Sequence, residues 1–171
     1  MDQKLRKIVL AALYTSLCCV ATMIIQIPSP MTGYVNLGDC IVLISAWQLG
    51  PVYGALVSGV GSALADLLTG YTHYVPGTFV IKALMAVIAC GVFSALSKSK
   101  MKNVDLKRTL SGLAAEIWMV IGYFLYSCLL LGKGLAASAS IPGNLVQGAI
   151  GLVVAIVLIR LLEKALPNFK D

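Results

Sequence analysis

Residues 8–27 run for twenty positions without a charged side chain, and several further stretches are almost as apolar. Twenty residues in a helix rise about 30 Å, the thickness of a bilayer's hydrocarbon core. In lipid, backbone groups must find their partners within the segment, so such stretches are read as spanning helices. Composition agrees: 12% of residues are charged, against about 25% in an ordinary soluble domain, and mean hydropathy is +0.92. The expected fold is an all-α integral membrane protein, one domain over residues 1–171 with six transmembrane helices. Their expected spans are 5–27, 37–49, 52–68, 77–96, 109–131 and 142–162. Six spans and their connections use nearly all 171 residues, which leaves no room for a soluble catalytic or nucleotide-binding domain.

Local signals set the boundaries. The first span is too long for a cleaved signal segment and stops at "PSP", because proline lacks a donor and restricts the residue before it. Span 37–49 is short and ends at "GP", so tilt or a loop dipping into the protein must make up its length. Span 52–68 carries Gly54, Gly59, Gly61, Ser58 and Ser62 at close spacings, which lets helix backbones approach in lipid. Cys18, Cys19, Cys40, Cys90 and Cys128 lie in apolar runs without metal-ligand spacing and are read as small hydrophobes. Neither a metal site nor a disulfide framework is expected.

The net charge of +6 is a topology signal, not the mark of a nucleic-acid partner. With six spans, Lys4, Arg6, Lys7, Lys98, Lys100, Lys102, Lys107, Arg108, Arg160, Lys164 and Lys170 all fall on one side. That is eleven of thirteen cations, so this side, which holds both termini, is expected to be cytoplasmic.

Orientation gives each polar residue in the spans a depth. Asp39, Asp66, Lys82, Asn144 and Gln147 fall in the outer half of their spans, and Tyr34, Asn36, His73 and Tyr74 in the outer loops. Asn144 and Gln147, three apart, share a helix face. Glu116 lies deeper in the fifth span, with Tyr123 above it at i+7. A charge at the bilayer centre costs about 2.5–3.5 kcal/mol, so such groups face a cavity or one another. Two readings stay open: an outward-facing binding pocket, or interhelical ion pairs among Asp39, Asp66 and Lys82. Tyr34, Tyr71 and Tyr74 fit either a pocket wall or an interfacial aromatic belt, and Trp47 fits the belt.

Three function classes follow. A small-molecule transporter explains an outward pocket, and the absence of a GxxxxGK[ST] motif means that any ATP is hydrolysed by partners. An integral-membrane enzyme could use Asp66, His73 and Glu116 as acid and base, but neither a GxSxG nor an HExxH motif is present. A purely structural subunit would leave the polar cluster without a purpose.

The stretches "GYVNLGD", "LGPVYGALVSGVGSALADLL", "GY" and "YVPGTFVIKAL", within residues 33–85, resemble the substrate-binding S component of energy-coupling factor (ECF) transporters. The similar branch is the riboflavin type, which also includes subunits for hydroxymethylpyrimidine or pyridoxine. The resemblance implies a prokaryotic plasma-membrane protein that binds a water-soluble vitamin or precursor on its extracellular side. It implies an energising module of one transmembrane coupling protein and two ATPases, against which the subunit topples, with no cofactor bound by this chain itself. The implied docking face uses small residues at i and i+4 on the first span, matched here by Ala11 and Thr15 or by Ala12 and Ser16. For the substrate, acid, base, amide and aromatic groups suit a compact heteroaromatic ring such as pyridoxine or hydroxymethylpyrimidine. Riboflavin and a queuosine precursor are the alternatives.

Overall fold

A computed structural model describes residues 2–29 and 33–165. Lys170, counted above among the cytoplasmic cations, lies outside the described residues, as do residues 30–32. Helix α1 (Gln3–Ile24) starts at Asp2, whose carboxylate accepts from the Lys4 backbone N–H at 3.3 Å. It ends as the chain extends toward Pro28. A short antiparallel ribbon follows, β1 (Ile27–Ser29) against β2 (Gly33–Val35), with Pro28 opposite Tyr34. Sequence reading expects only a loop there; Pro28 and the two-residue periodicity are too brief to announce a strand pair.

Helix α2 (Gly38–Leu68) joins the segments expected as separate spans 37–49 and 52–68. It is broken at Gly50, whose φ of 81° and ψ of −178° are accessible almost only to glycine, and Pro51 follows without a donor. The two arms fold back on each other there: a Cβ on Gly54 would stand 2.9 Å from the Ala46 Cα. An unbroken helix would separate those residues by about 12 Å.

Helix α3 (Val75–Ser97) begins with Pro76 in its first turn, where a missing N–H costs nothing. Helix α4 (Val104–Leu125) is capped by Asn103, which accepts from Leu106 N at 3.1 Å, and runs on into a π-helical turn, Tyr126–Leu130. It starts five residues before the expected 109, so Lys107 and Arg108 are helical and do not belong to the connector. Arg108 is buried and ion-paired to Glu163 of the last helix. The connector expected before the last span is a 3-10 helix, Gly134–Ser140, leading directly into α5 (Ile141–Ala165). Among the described residues, five helical stretches are long and apolar enough to cross a membrane, with Gly38–Leu68 counted as one.

Packing follows the small residues. Helices α2, α3, α4 and α5 form a ring, each touching the next, and α1 lies outside it against α2. Contact with α1 is close at Gly61, where a Cβ would meet the Thr15 carbonyl and the Cys18 Cβ at 2.8 Å. Helix α1 buries Tyr14, Cys18 and Thr22 at four-residue spacing and leaves Leu5, Val9, Leu13 and Val20 on its outer face. All five cysteines are free, and Cys18 and Cys40 belong to the core. Trp47, assigned to the aromatic belt from sequence, is half-buried and donates to Ser111 of α4 at 3.0 Å, which makes it an interhelical strut.

Candidate functional site

The break at Gly50 decides where the site's acids stand. Asp39 and Asp66 are 27 residues apart, about 40 Å along a straight helix. With the arms folded back, both approach the same end of the bundle, together with the β-ribbon and the start of α3.

At that end a cavity of about 540 Å³, open solvent at its mouth included, is lined from every helix. Thr22 comes from α1; Ser62 and Asp66 from α2; Thr78 and Lys82 from α3; Tyr123 from α4; Asn144 and Gln147 from α5. Tyr34, Asn36, Tyr74, Ser127 and Ser140 complete the wall. Of the eleven residues singled out from sequence, eight line it: Tyr34, Asn36, Asp66, Tyr74, Lys82, Tyr123, Asn144 and Gln147.

The other three are placed differently. Asp39 lies beneath the cavity, fully buried and ion-paired with Lys82. His73 is exposed at the rim, its ring 4.7 Å from that of Tyr74 and its carbonyl accepting from the Tyr126 hydroxyl at 2.7 Å. Glu116 is buried against α5, with no hydrogen-bond partner for either oxygen among the described residues; a Cβ on Gly148 would stand 2.8 Å from its Oε2. Thr22, Ser62, Thr78, Ser127 and Ser140 carried no signal in the sequence. A hydroxyl in an apolar helix can bond its own backbone, as Thr22 does to the Cys18 carbonyl at 2.8 Å, so its presence there demands no cavity.

The floor of the cavity is a connected polar layer. Lys82 Nζ donates to Asp39 Oδ1, and Gln147 Nε2 donates to Asp39 Oδ2 at 2.7 Å. Gln147 Oε1 in turn accepts from the Asn36 backbone N–H at 2.9 Å and from its side chain at 3.3 Å. Asn36 Oδ1 caps Gly38 N at 2.8 Å. The layer thus ties α3, α5 and the start of α2 together and leaves the remaining ammonium hydrogens of Lys82 toward the cavity. The Lys82 ammonium also stands 5.5 Å from the Tyr123 ring centroid, a cation–π distance.

Asp66 forms a separate acidic wall. Its Oδ1 accepts from the Tyr34 hydroxyl at 2.5 Å, and its Oδ2 is buried with no partner in hydrogen-bond geometry among the described residues. Burial, followed by the neighbouring Asp66 charge, pushes the Tyr34 phenol well above its ordinary value, so it is a donor throughout the physiological range. Of the two open readings of the acids and Lys82, the pairing is specific: Lys82 joins Asp39, not Asp66. The mouth is aromatic. Tyr34 and Tyr71 rings lie 4.7 Å apart, and the Tyr74 ring sits between Tyr123 and Tyr126 at 6.3 and 6.1 Å. Lys133 donates to the Tyr74 hydroxyl at 3.0 Å.

A helical bundle built for lipid, with a polar and aromatic cavity gathered at one pole, defines a membrane-embedded solute-binding protein. More particularly, the chain belongs to the family described as ECF-type riboflavin transporter, S component, which matches residues 2–164. The fold is that of a solved bacterial ECF transporter S component, at a TM-score of 0.71 and 22% identity, covering 96% of this chain and 99% of that one. Among relatives, an uncharacterized protein of Pyrococcus woesei is 36% identical over 136 residues, 79% of this chain and 86% of its own. The thiamine precursor transporter HmpT of Lactococcus lactis subsp. cremoris (strain MG1363) is 28% identical over 167 residues, 96% of this chain and 92% of its own. The chain is therefore a multi-pass membrane transport subunit of the vitamin-uptake class and not an enzyme.

Proposed function

We propose that this chain is the substrate-capture subunit of an ATP-driven ECF importer in the prokaryotic cell membrane, with a thiamine-precursor pyrimidine as its favoured ligand. The observation that carries the reading is the cavity itself: three tyrosines around an ammonium, a carboxylate and three amides fit a compact, flat, polar ring. The relative named as a thiamine precursor transporter supports the pyrimidine; pyridoxine is of similar size, and riboflavin is the ligand in the family's description.

In this reading the two arms of α2 cross the bilayer separately, giving six crossings with both termini cytoplasmic and the cavity facing outward. The close approach of Gly54 to Ala46 supports that topology, as does the charge bias of the loops. Energy comes from a module of one coupling protein and two ATPases, and delivery occurs as the loaded subunit topples against it. Docking in this reading uses Ala12 and Ser16; their exposure supports them over Ala11, half-buried against the core, and Thr15, half-buried with its carbonyl close to Gly61 of α2.

The test is equilibrium binding of radiolabelled hydroxymethylpyrimidine, pyridoxine and riboflavin to the purified chain, with mass spectrometry of whatever copurifies. Saturable binding without chemical change is expected. Turnover, or no binding by any of the three, would reject the proposal.

A further inference from the structure

Within the cavity one group stands apart. Asp66 is 4% exposed, one of its oxygens is held by Tyr34, and the other has no partner in hydrogen-bond geometry among the described residues. Thr78 stands beside it; its hydroxyl accepts from Tyr123 at 3.1 Å and keeps its own proton, which can turn toward Asp66. Among the described residues, the ammonium that lines the cavity is Lys82, which is ion-paired with Asp39. A carboxylate can only accept, and its two oxygens offer about four lone-pair sites, so the Tyr34 phenol and the Thr78 hydroxyl together leave Asp66 acceptor capacity on the cavity, which favours a ligand that brings an N–H or O–H to that point. On the same cavity, Lys82 can only donate, and the Asn144 amide, which also lines it, can do both. The walls between these poles are the rings of Tyr34, Tyr74 and Tyr123. The pattern is directional: donor on the ligand toward Asp66, acceptor toward Lys82, and a flat body between.

We infer that Asp66 is the specificity-determining residue of this site and that it reads an exocyclic amine on an N-heteroaromatic ring. This rests on the vitamin-capture reading above and narrows it from a size class to a chemical edge. Such a ring offers the amine to Asp66 Oδ2 and places a ring nitrogen or hydroxymethyl oxygen within the reach of Lys82 and Asn144. A ligand of the same shape with a methyl group in place of the amine would take water from Asp66 and return no donor to it. Sites built to hydrogen-bond a substrate group discriminate against analogues lacking it far better than apolar pockets discriminate by size.

The experiment compares Kd values of 4-amino-5-hydroxymethyl-2-methylpyrimidine and its 4-methyl analogue for wild type and Asp66→Asn, with pyridoxine and riboflavin alongside. Asparagine keeps the shape and an acceptor for Tyr34 but turns a donor toward the amine. Wild type is expected to prefer the amine by about tenfold to a hundredfold, the range for a hydrogen bond to a charged group, and Asp66→Asn to lose that preference. Equal wild-type affinity for the two pyrimidines overturns the inference without recourse to any variant. So does an amine preference that survives in Asp66→Asn, or binding of pyridoxine or riboflavin with neither pyrimidine; in each case vitamin capture still stands. Failure of every compound to bind wild type rejects the capture reading as well.

Discussion

Lys82 of α3 is ion-paired with Asp39 in the first turn of α2, and the two side chains are 2% and 0% exposed. A buried pair of this kind is worth little relative to apolar replacement of both partners, but removing one strands the other's charge. Lys82→Met should destabilise the fold by about 3–5 kcal/mol, and Lys82→Met combined with Asp39→Asn should recover most of that loss. Unfolding in mixed micelles measures both. Ligand binding should stay weak in the double variant, because Lys82 also faces the cavity.

The bend that brings Asp39 and Asp66 to one end rests on Gly50. Any side chain at a φ of 81° with ψ of −178° is strained, so Gly50→Ala should cost about 1–3 kcal/mol although nothing lies within 4 Å of its Cβ. A melting temperature equal to wild type would show that the arms do not need that backbone conformation.

Glu116 and α5 touch at Gly148. Gly148→Ala places a methyl 2.8 Å from Glu116 Oε2 and 3.1 Å from its Cβ, an overpacking that should cost about 1–3 kcal/mol. Gly91→Ala on α3, with open space around it, should be neutral or stabilising by about 0.5–1 kcal/mol. Parallel thermal melts of the two variants test the contact, and equal melts would refute it.

Tyr34 has a defined pH signature. Its phenol is raised above the ordinary 10.0, first by burial and then by Asp66. A group raised in the folded state stabilises the protein fully below its unfolded value, and that contribution fades only as pH climbs through the higher folded value. The hydrogen bond to Asp66 should therefore persist across the neutral and mildly alkaline range. Ultraviolet titration of wild type against Tyr34→Phe should show no phenolate assignable to Tyr34 near pH 10; its appearance there would contradict the buried bond.

On α1, adjacent alanines should behave oppositely. Ala12→Trp enlarges an exposed position and should block uptake while leaving ligand affinity unchanged. Ala11→Trp intrudes on the packed side and should lower stability instead. Uptake in cells, binding to purified protein and melting temperature separate the two, and normal uptake by Ala12→Trp would remove that face from docking.

The helical membrane class was legible because uncharged runs of spanning length have few other folds open to them. The polar side chains most costly in lipid, Lys82, Asp66, Asn144 and Gln147, were visible for the same reason, and the cavity gathers them. The hydroxyls beside them were invisible, since serine and threonine cost a helix in lipid almost nothing. Arg108 was misread as a loop cation because helix α4 begins before its apolar run does, and its burial depends on Glu163, 55 residues away.

By itself the sequence determined that this chain lives in a bilayer, which segments are helical, which side chains are too costly to face lipid, and the family to which it belongs. Tertiary structure alone decided that Lys82 answers Asp39 and not Asp66, that Glu116 lies outside the cavity wall, and that Ala12 faces out where Ala11 faces in. The physical reason is that lipid and protein core are equally apolar. A membrane helix therefore carries little periodic contrast to tell its inward from its outward face, and its rotation is set by where glycines and small side chains let backbones meet.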